Sequence, residues 1–204
     1  MSLILRLPKI EDEAQVLRAI EIIRQSEPHF GFAHYYEEVM LFGKWVQIIE
    51  EKSRGIGILS GHVQSTFLVS LVDGDIVGRL SFRHTLNEGL LRVGGHIGYA
   101  VLPQYRRKGY AIEMLRQSLP LAKQVGLAKV LLTCDQGNIG SQKNIEACGG
   151  VLENIISVEE GKPSKMPSGS RFRTYENQKV RENFSSQALT NFNLNKTSSG
   201  SALA

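Results

Sequence analysis

The sequence predicts an α+β protein with a mixed, mostly antiparallel central sheet flanked by helices. Three observations lead there. A strand followed by a helix opens the chain. Two apolar, β-branched runs flank Asp73-Gly74-Asp75 further on. Two more strand–helix units follow before a last strand. Asp-Gly supplies the positive φ that a tight hairpin turn needs, so the middle runs pair antiparallel. Helices interleaved with such strands cover the faces of one sheet.

Each element has a local reason. Leu3, Leu5 and Leu7 alternate as in a half-buried strand, and Pro8 ends it. Glu11 or Asp12 starts the next helix, where Ala14, Leu17, Ile20 and Ile23 recur at helical spacing. Phe30, Phe32, Tyr35, Tyr36, Phe42 and Trp45 crowd the next stretch. From about Tyr35 to Lys52 the pattern suits one or two helices broken near Gly43, and the aromatic stretch either packs a helical face on the sheet or in part walls a substrate pocket. After the hairpin, a loop with Asn87, Glu88 and Gly89 leads into the strand "GGHIGYAVL", which Pro103 stops. From Tyr110, a helical run through Ala111, Met114, Leu115, Ser118, Ala122 and Val125 follows, and Gly126 suits its C-cap. Pro120 lacks a backbone donor and should kink or split that helix.

"AKVLLTCD" is a buried strand, "NIGSQKNIEACGG" a short helix from Asn138 to about Gly149, and "VLENIISVE" a further strand. Beyond Glu160 the pattern degrades into loop. One short strand candidate remains at Arg171 to Tyr175, and a polar tail follows. The expected organisation is one domain over residues 1–176 and a disordered or irregular tail over 177–204.

Composition narrows the function classes. The chain has 204 residues, 22% charged and 42% hydrophobic, with a net charge of +4. That suits an anionic ligand but lacks the concentrated basic face and aromatic platform of a nucleic-acid binder. Cys134 and Cys148 form no disulfide framework or metal-ligand spacing, so they read as reduced, buried thiols, and no metal is expected. No signal-peptide pattern opens the chain and no run approaches the roughly 18 apolar residues of a membrane span. A cytoplasmic protein with no membrane partner is expected.

The most informative stretch is "QYRRKGYA", Gln104 to Ala111. Arg106, Arg107 and Lys108 sit at the mouth of a helix, where the dipole already repels positive charge. Cations there become favourable when an anion sits among them. A strand, a proline, a basic loop with Gly109 and then a helix converge N–H groups on one point. Neither G-x-x-x-x-G-K-[ST] nor G-x-G-x-x-G occurs in the chain.

What remains is R-x-x-G-x-A, Arg106 to Ala111, and here the sequence resembles the GNAT superfamily of N-acetyltransferases. "GYAVLPQYRRKGYAIEML" resembles that family's fourth strand, phosphate loop and following helix. "VLLTCDQGNIGSQKNIEACGG" resembles its fifth strand and next helix, with Asn138 and Ser141 in an N-x-x-S pattern. The resemblance covers roughly residues 3 to 157. It implies acetyl-coenzyme A as cosubstrate, with its pyrophosphate on the N–H groups from Arg106 through Arg107, Lys108, Gly109 and Tyr110 to Ala111. It implies the pantetheine arm paired to the backbone of Tyr99, Ala100 and Val101, with Asn138 and Ser141 on the far side.

The resemblance also exposes two departures. The family's frequent acid, a tyrosine four residues past the serine, falls on Ile145 here. Its frequent glutamate base falls near Thr133. His96 and His84 are the substitute candidates for base or substrate contact, since imidazole titrates near neutrality. Tyr99 reads as core or cofactor wall, Cys134 as inert thiol, and Asp135 and Glu146 as structural or exposed. The expected reaction is direct acetyl transfer to a primary amine of a small molecule or peptide. A non-catalytic acyl-coenzyme A binding module is the alternative, and the family's habit of pairing leaves a homodimer open.

Overall fold

A computed structural model describes residues 2–28, 30–156 and 169–175. The expected tail at 177–204 and most of the expected loop after Glu160 lie outside the described residues. β1 (Ile4–Arg6), β2 (Ser65–Val72), β3 (Asp75–Arg83) and β4 (Ile97–Val101) form one four-stranded sheet in chain order. β5 (Lys129–Asp135), β6 (Gly150–Ile156) and β7 (Gly169–Tyr175) form a second, in the order β5-β7-β6. Every pairing among these strands is antiparallel. The short strand expected from Arg171 is thus β7, two residues longer. It lies between β5 and β6.

The first sheet is covered on both faces, which is why β2 is buried along its whole length. On one face, α1 (Glu13–Ser26) and α2 (Phe42–Ser53) bury Val16, Ile23, Trp45 and Ile49 against Phe67, Val69 and Ile76. On the other, α4 (Tyr110–Gln124) and α5 (Ile139–Ala147) bury Met114, Leu115 and Ile145 with Leu68, Val77, Leu80 and Phe82. Alternation along β2 sends successive side chains into the two cores. The hairpin turn has φ of +52° at Asp73 and +89° at Gly74, as an Asp-Gly turn requires. Gln15 of α1 clamps it, donating to the Gly74 carbonyl at 3.1 Å and accepting from the Ile76 N–H at 2.7 Å.

Four expectations need correction. The buried stripe of α1 is Val16, Ala19 and Ile23, while Leu17 is exposed; apolar residues surround this helix and packing selects the face. The aromatic segment is helical only from Phe42, and Gly43 lies inside the first turn of α2 rather than at a break. The loop after the hairpin holds a short helix, α3 (Glu88–Arg92), whose N-cap Asn87 accepts from the Leu90 N–H. Pro120 does not split α4, which runs unbroken from Tyr110 to Gln124 and ends before Gly126 at φ +80°.

The two sheets meet at a short seam. The His96 N–H donates to the Leu131 carbonyl at 2.7 Å, and the Leu131 N–H donates back to His96 Nδ1 at 2.9 Å. The imidazole nitrogen takes the place that a carbonyl oxygen would have in a ladder. One step further out, the Gly94 N–H donates to Thr133 Oγ1 at 2.8 Å. Beyond the seam β4 and β5 part. Gly95 makes the approach feasible: its φ is +59°, and a Cβ there would strike the Leu131 carbonyl oxygen. Gly95→Ala should therefore destabilise the protein by about 1–3 kcal/mol, read from the urea unfolding midpoint. An unchanged midpoint would show that the seam carries no strain.

Candidate active site

Where β4 and β5 separate, a cleft of about 680 Å³ opens, within the range of small-molecule sites. Among the described residues β4 pairs only with β3, so its other backbone edge faces this opening. Tyr99, Ala100 and Val101 line one wall, and Leu132, Thr133, Cys134 and Asp135 of β5 line the other. Asn138 and Ser141 close the α5 side. Asn138 caps that helix by accepting from the Ser141 N–H at 3.0 Å, which satisfies one orphan donor and fixes both residues.

The basic loop forms the mouth. Pro103–Tyr105 make one 3-10 turn, and the Arg106 N–H bonds the Pro103 carbonyl at 3.2 Å. Arg107 then takes φ of +60° and Gly109 φ of +82° before α4 begins. A Cβ at Gly109 would meet nothing within 4 Å, so the glycine serves the backbone turn rather than close packing. Arg107 has no such freedom and costs about 1 kcal/mol in this conformation. No carbonyl of the described residues accepts from the N–H groups between Arg107 and Ile112. Free N–H groups on a helix N-terminus are an anion site. The Arg106 N–H is spent inside the turn, so the free set starts one residue later than the sequence predicts.

The three cations divide. Arg106 and Arg107 both line the cleft, and of the two only Arg107 is without an ion-pair partner among the described residues. Arg106 folds back, donating from Nε to the Val101 carbonyl at 3.0 Å and pairing with the Glu27 carboxylate at the end of α1. Lys108 stands outside the cleft lining, its Nζ 5.5 Å above the Tyr105 ring.

The other expected site residues fall as follows. Ile145 is buried in the core, and Thr133 Oγ1 is engaged by the seam. His96 and His84 are each 9% exposed, and neither lines the cleft. His96 Nδ1 accepts from Leu131; His84 Nε2 is 2.8 Å from Thr66 Oγ1. Cys148 is buried, but Cys134 is half-buried and faces the cleft. Burial, and then Asp135 beside it, push the Cys134 thiol up to about 11, so it stays protonated at neutral pH.

Tyr99 gains a feature the sequence hides. Its hydroxyl is buried without a hydrogen bond among the described residues, although Ser141 and Asn144 face it. Burial raises its pKa above the ordinary value, so it is a neutral phenol. Two further residues escaped sequence reading: Arg79 and Arg83 of β3 also line the cleft. Charges inside the apolar run "DIVGRLSFR" were the available signal.

A split sheet with a phosphate-type loop at the mouth of the split is the arrangement that the resemblance to the GNAT superfamily implies. Residues 2–151 match the family profile described as acetyltransferase (GNAT) domain. The chain belongs to that family. A search of curated protein sequences finds no match. Among solved structures, RimJ of Mycobacterium smegmatis in complex with coenzyme A disulfide is 16% identical, with TM-score 0.63, over 92% of this chain and 88% of that one. The ribosomal-protein-S5-alanine acetyltransferase of Vibrio fischeri is 15% identical, with TM-score 0.61, over 87% and 95%. The microcin C7 self-immunity acetyltransferase, in complex with acetyl-CoA and AMP, is 15% identical, with TM-score 0.59, over 85% and 92%. At such identities the likeness concerns fold alone. Among the described residues no cluster could hold a metal ion, and no helix is long and apolar enough to cross a membrane.

The histidines set the acid response. Burial lowers the pKa of His84 and His96 below 6.5, and lowers His34 to about 3 with help from Arg79 and Arg83. Below about pH 6.5 the unfolded chain therefore binds more protons than the folded one, and stability falls as pH falls. The urea midpoint should drop steadily from pH 7 to pH 5, before most carboxylates titrate. A flat midpoint across that window would show that these rings are not held neutral.

Proposed function

We propose that the chain transfers an acetyl group from acetyl-CoA to a primary amine of a small molecule or peptide. One observation carries this: free N–H groups at the mouth of α4 lead directly into the opening between β4 and β5. Acetyl-CoA, when bound, supplies a thioester whose C–S bond breaks as the amine nitrogen forms the new C–N bond. The N–H groups from Arg107 to Ala111, with the Arg107 guanidinium, hold the pyrophosphate. The free edge of β4 at Tyr99, Ala100 and Val101 pairs with the pantetheine arm and offers N–H groups to the carbonyl oxygen. Asn138 and Ser141 wall the opposite side. We take residues 1–176 as one domain, because β7 is central to the second sheet.

Two protons must move. Tyr99 is assigned as donor to the leaving sulfur, from its buried hydroxyl facing Ser141 and Asn144 of α5, in place of the tyrosine that Ile145 replaces. The amine's proton goes to water in the open cleft, since Glu27 is paired with Arg106 and the two candidate histidines stand outside the lining. On this basis kcat/KM should rise with pH along the amine's own titration, and Tyr99→Phe should lower kcat about tenfold to a hundredfold. An inflection near pH 6.5 that His96→Asn or His84→Asn removes would return the base role to histidine. Full kcat in Tyr99→Phe would remove the phenol from the mechanism.

The cofactor assignment has its own test. Acetyl-CoA at about 100 times its dissociation constant should add about 2.7 kcal/mol to stability, seen as a rise of several degrees in Tm. Arg107→Glu with Gly109→Glu should abolish the rise. A rise with no thiol release across a broad amine panel would favour the non-catalytic binding module, which Ile145 and Thr133 already favour in the family's acid and base positions. No rise at millimolar acetyl-CoA would overturn both.

A further inference from the structure

We propose that the cleft contains an anion-binding subsite, formed by Arg79 and Arg83 above Gly98, that receives a carboxylate or phosphate group of the acceptor. This rests on the acetyl-transfer assignment and narrows it to acceptors carrying both an amine and an anion.

Arg79, Ser81 and Arg83 alternate along β3 and project toward the α1–α2 face. In the register with β4, Arg79 lies opposite Ala100 and Ser81 opposite Gly98. The absence of a side chain at Gly98 leaves a space that both guanidinium groups enter. A Cβ built there would lie 3.7 Å from Arg79 Nη1, and 3.8 and 3.9 Å from Arg83 Nη1 and Nη2. Two cations thus converge on one point at the wall of the cleft.

Neither guanidinium has a carboxylate partner among the described residues. Arg79 is 3% exposed; it donates to the Gly98 carbonyl at 3.3 Å and the Gly31 carbonyl at 3.1 Å, and its Nε has no partner. Its guanidinium carbon stacks 4.4 Å from the centre of the Phe30 ring. Arg83 Nη1 donates to the Gly94 and Gly95 carbonyls at 3.2 and 3.0 Å, which leaves its other nitrogens available. Carbonyls supply hydrogen bonds but no countercharge. Two desolvated like charges side by side are costly, and an anion between them removes most of that cost. The planar fork of arginine also fits a carboxylate or phosphate edge with two parallel bonds.

The electrostatics agree. Burial, and then Arg83, pull Arg79 down to about 9, which still leaves it charged at neutral pH. His34 is held neutral beside them. Of the cleft carboxylates, Glu27 is committed to Arg106, and Asp135 is exposed at the end of β5. The positive field of the Arg79–Arg83 pair therefore stays uncompensated while the loop cations serve the mouth.

The test uses the full chain saturated with coenzyme A, so that the loop at the mouth is already filled. Calorimetric titration with acetate and with inorganic phosphate should show saturable binding of at least one, and the two arms distinguish the anion classes. Arg83→Gln should weaken that binding tenfold or more while the coenzyme A affinity stays within twofold; Arg83→Lys should fall between. In turnover, amines matched except for carboxylate against carboxamide should differ at least tenfold in kcat/KM for the wild type, through KM. Arg83→Gln should bring them to near parity. Absence of anion binding to the wild type, or equal binding by Arg83→Gln of wild-type Tm, would overturn the subsite and leave both arginines as braces for glycine carbonyls. Arg83-dependent anion binding without acetylation of any amine would support the subsite and overturn the transfer reaction instead.

Discussion

Everything in the cleft depends on where the sheet stops being continuous. Three hydrogen bonds, two through His96 and one through Thr133, tie β4 to β5 at one end. The ring of His96 and the hydroxyl of Thr133 replace backbone acceptors, so the strands touch without forming a ladder. Past that point β4 keeps an edge that no described strand pairs. An exposed edge of N–H and C=O groups is normally a hazard for proteins. Here it is sheltered in a cleft, where an extended ligand can satisfy it as an added strand would. The histidine that looked like a base in sequence is thus used to fix the geometry of the opening. A charged ring could not accept from Leu131 at Nδ1, so the seam favours the neutral imidazole.

The second sheet reinforces the split from the other side. β7 comes from late in the chain yet pairs with both β5 and β6, giving β5 a partner on the side away from β4. With β5 held there and β4 held by β3, neither strand needs the other. The two cores divide the load in the same way. α1 and α2 pack on the face that carries Arg79 and Arg83; α4 and α5 pack on the face that carries Tyr99. The phosphate-type loop stands at the start of α4, and Glu27 links it through Arg106 to the end of α1. The loop is therefore braced from both layers, and its conformation, including the left-handed Arg107, is held by contacts outside it.

What could be read in the sequence was mostly local chemistry. The Asp73-Gly74 hairpin, the loop from Arg106 to Ala111 and the Asn138 cap each follow from residue types at fixed offsets. The same loop carried the family resemblance. What was missed depended on packing partners distant in the chain. The face of α1 could not be chosen because Val16, Leu17, Ala19 and Ile20 offer more than one apolar stripe. The segment before Phe42 is too aromatic to distinguish helix from irregular wall by composition. α3 is only five residues, and its capping Asn87 was a signal passed over. In the site, Arg106 looked free because Glu27 lies 79 positions away. Arg79 and Arg83 drew no reading from the sequence, since nothing local says that the Gly31 and Gly98 carbonyls will meet Arg79 or that those of Gly94 and Gly95 will meet Arg83.

Arg79 is an unusual choice for a buried strand position. A well-packed apolar side chain would serve a β3 strand better, because burying an unpaired guanidinium is expensive even with carbonyl bonds. The Phe30 ring and two carbonyls soften that cost without cancelling the charge. Phe30 and Gly31 belong to the segment joining α1 to α2, so the arginine also links that segment to the sheet floor. Ordering the segment and presenting a positive charge to the cleft are then the same interaction. The face of the sheet opposite α4 is thereby cationic and braced where it borders the cleft beside β4. In the proposed reaction, that charge would hold an anionic group of the acceptor and so align its amine with the thioester, while the proton leaves to water.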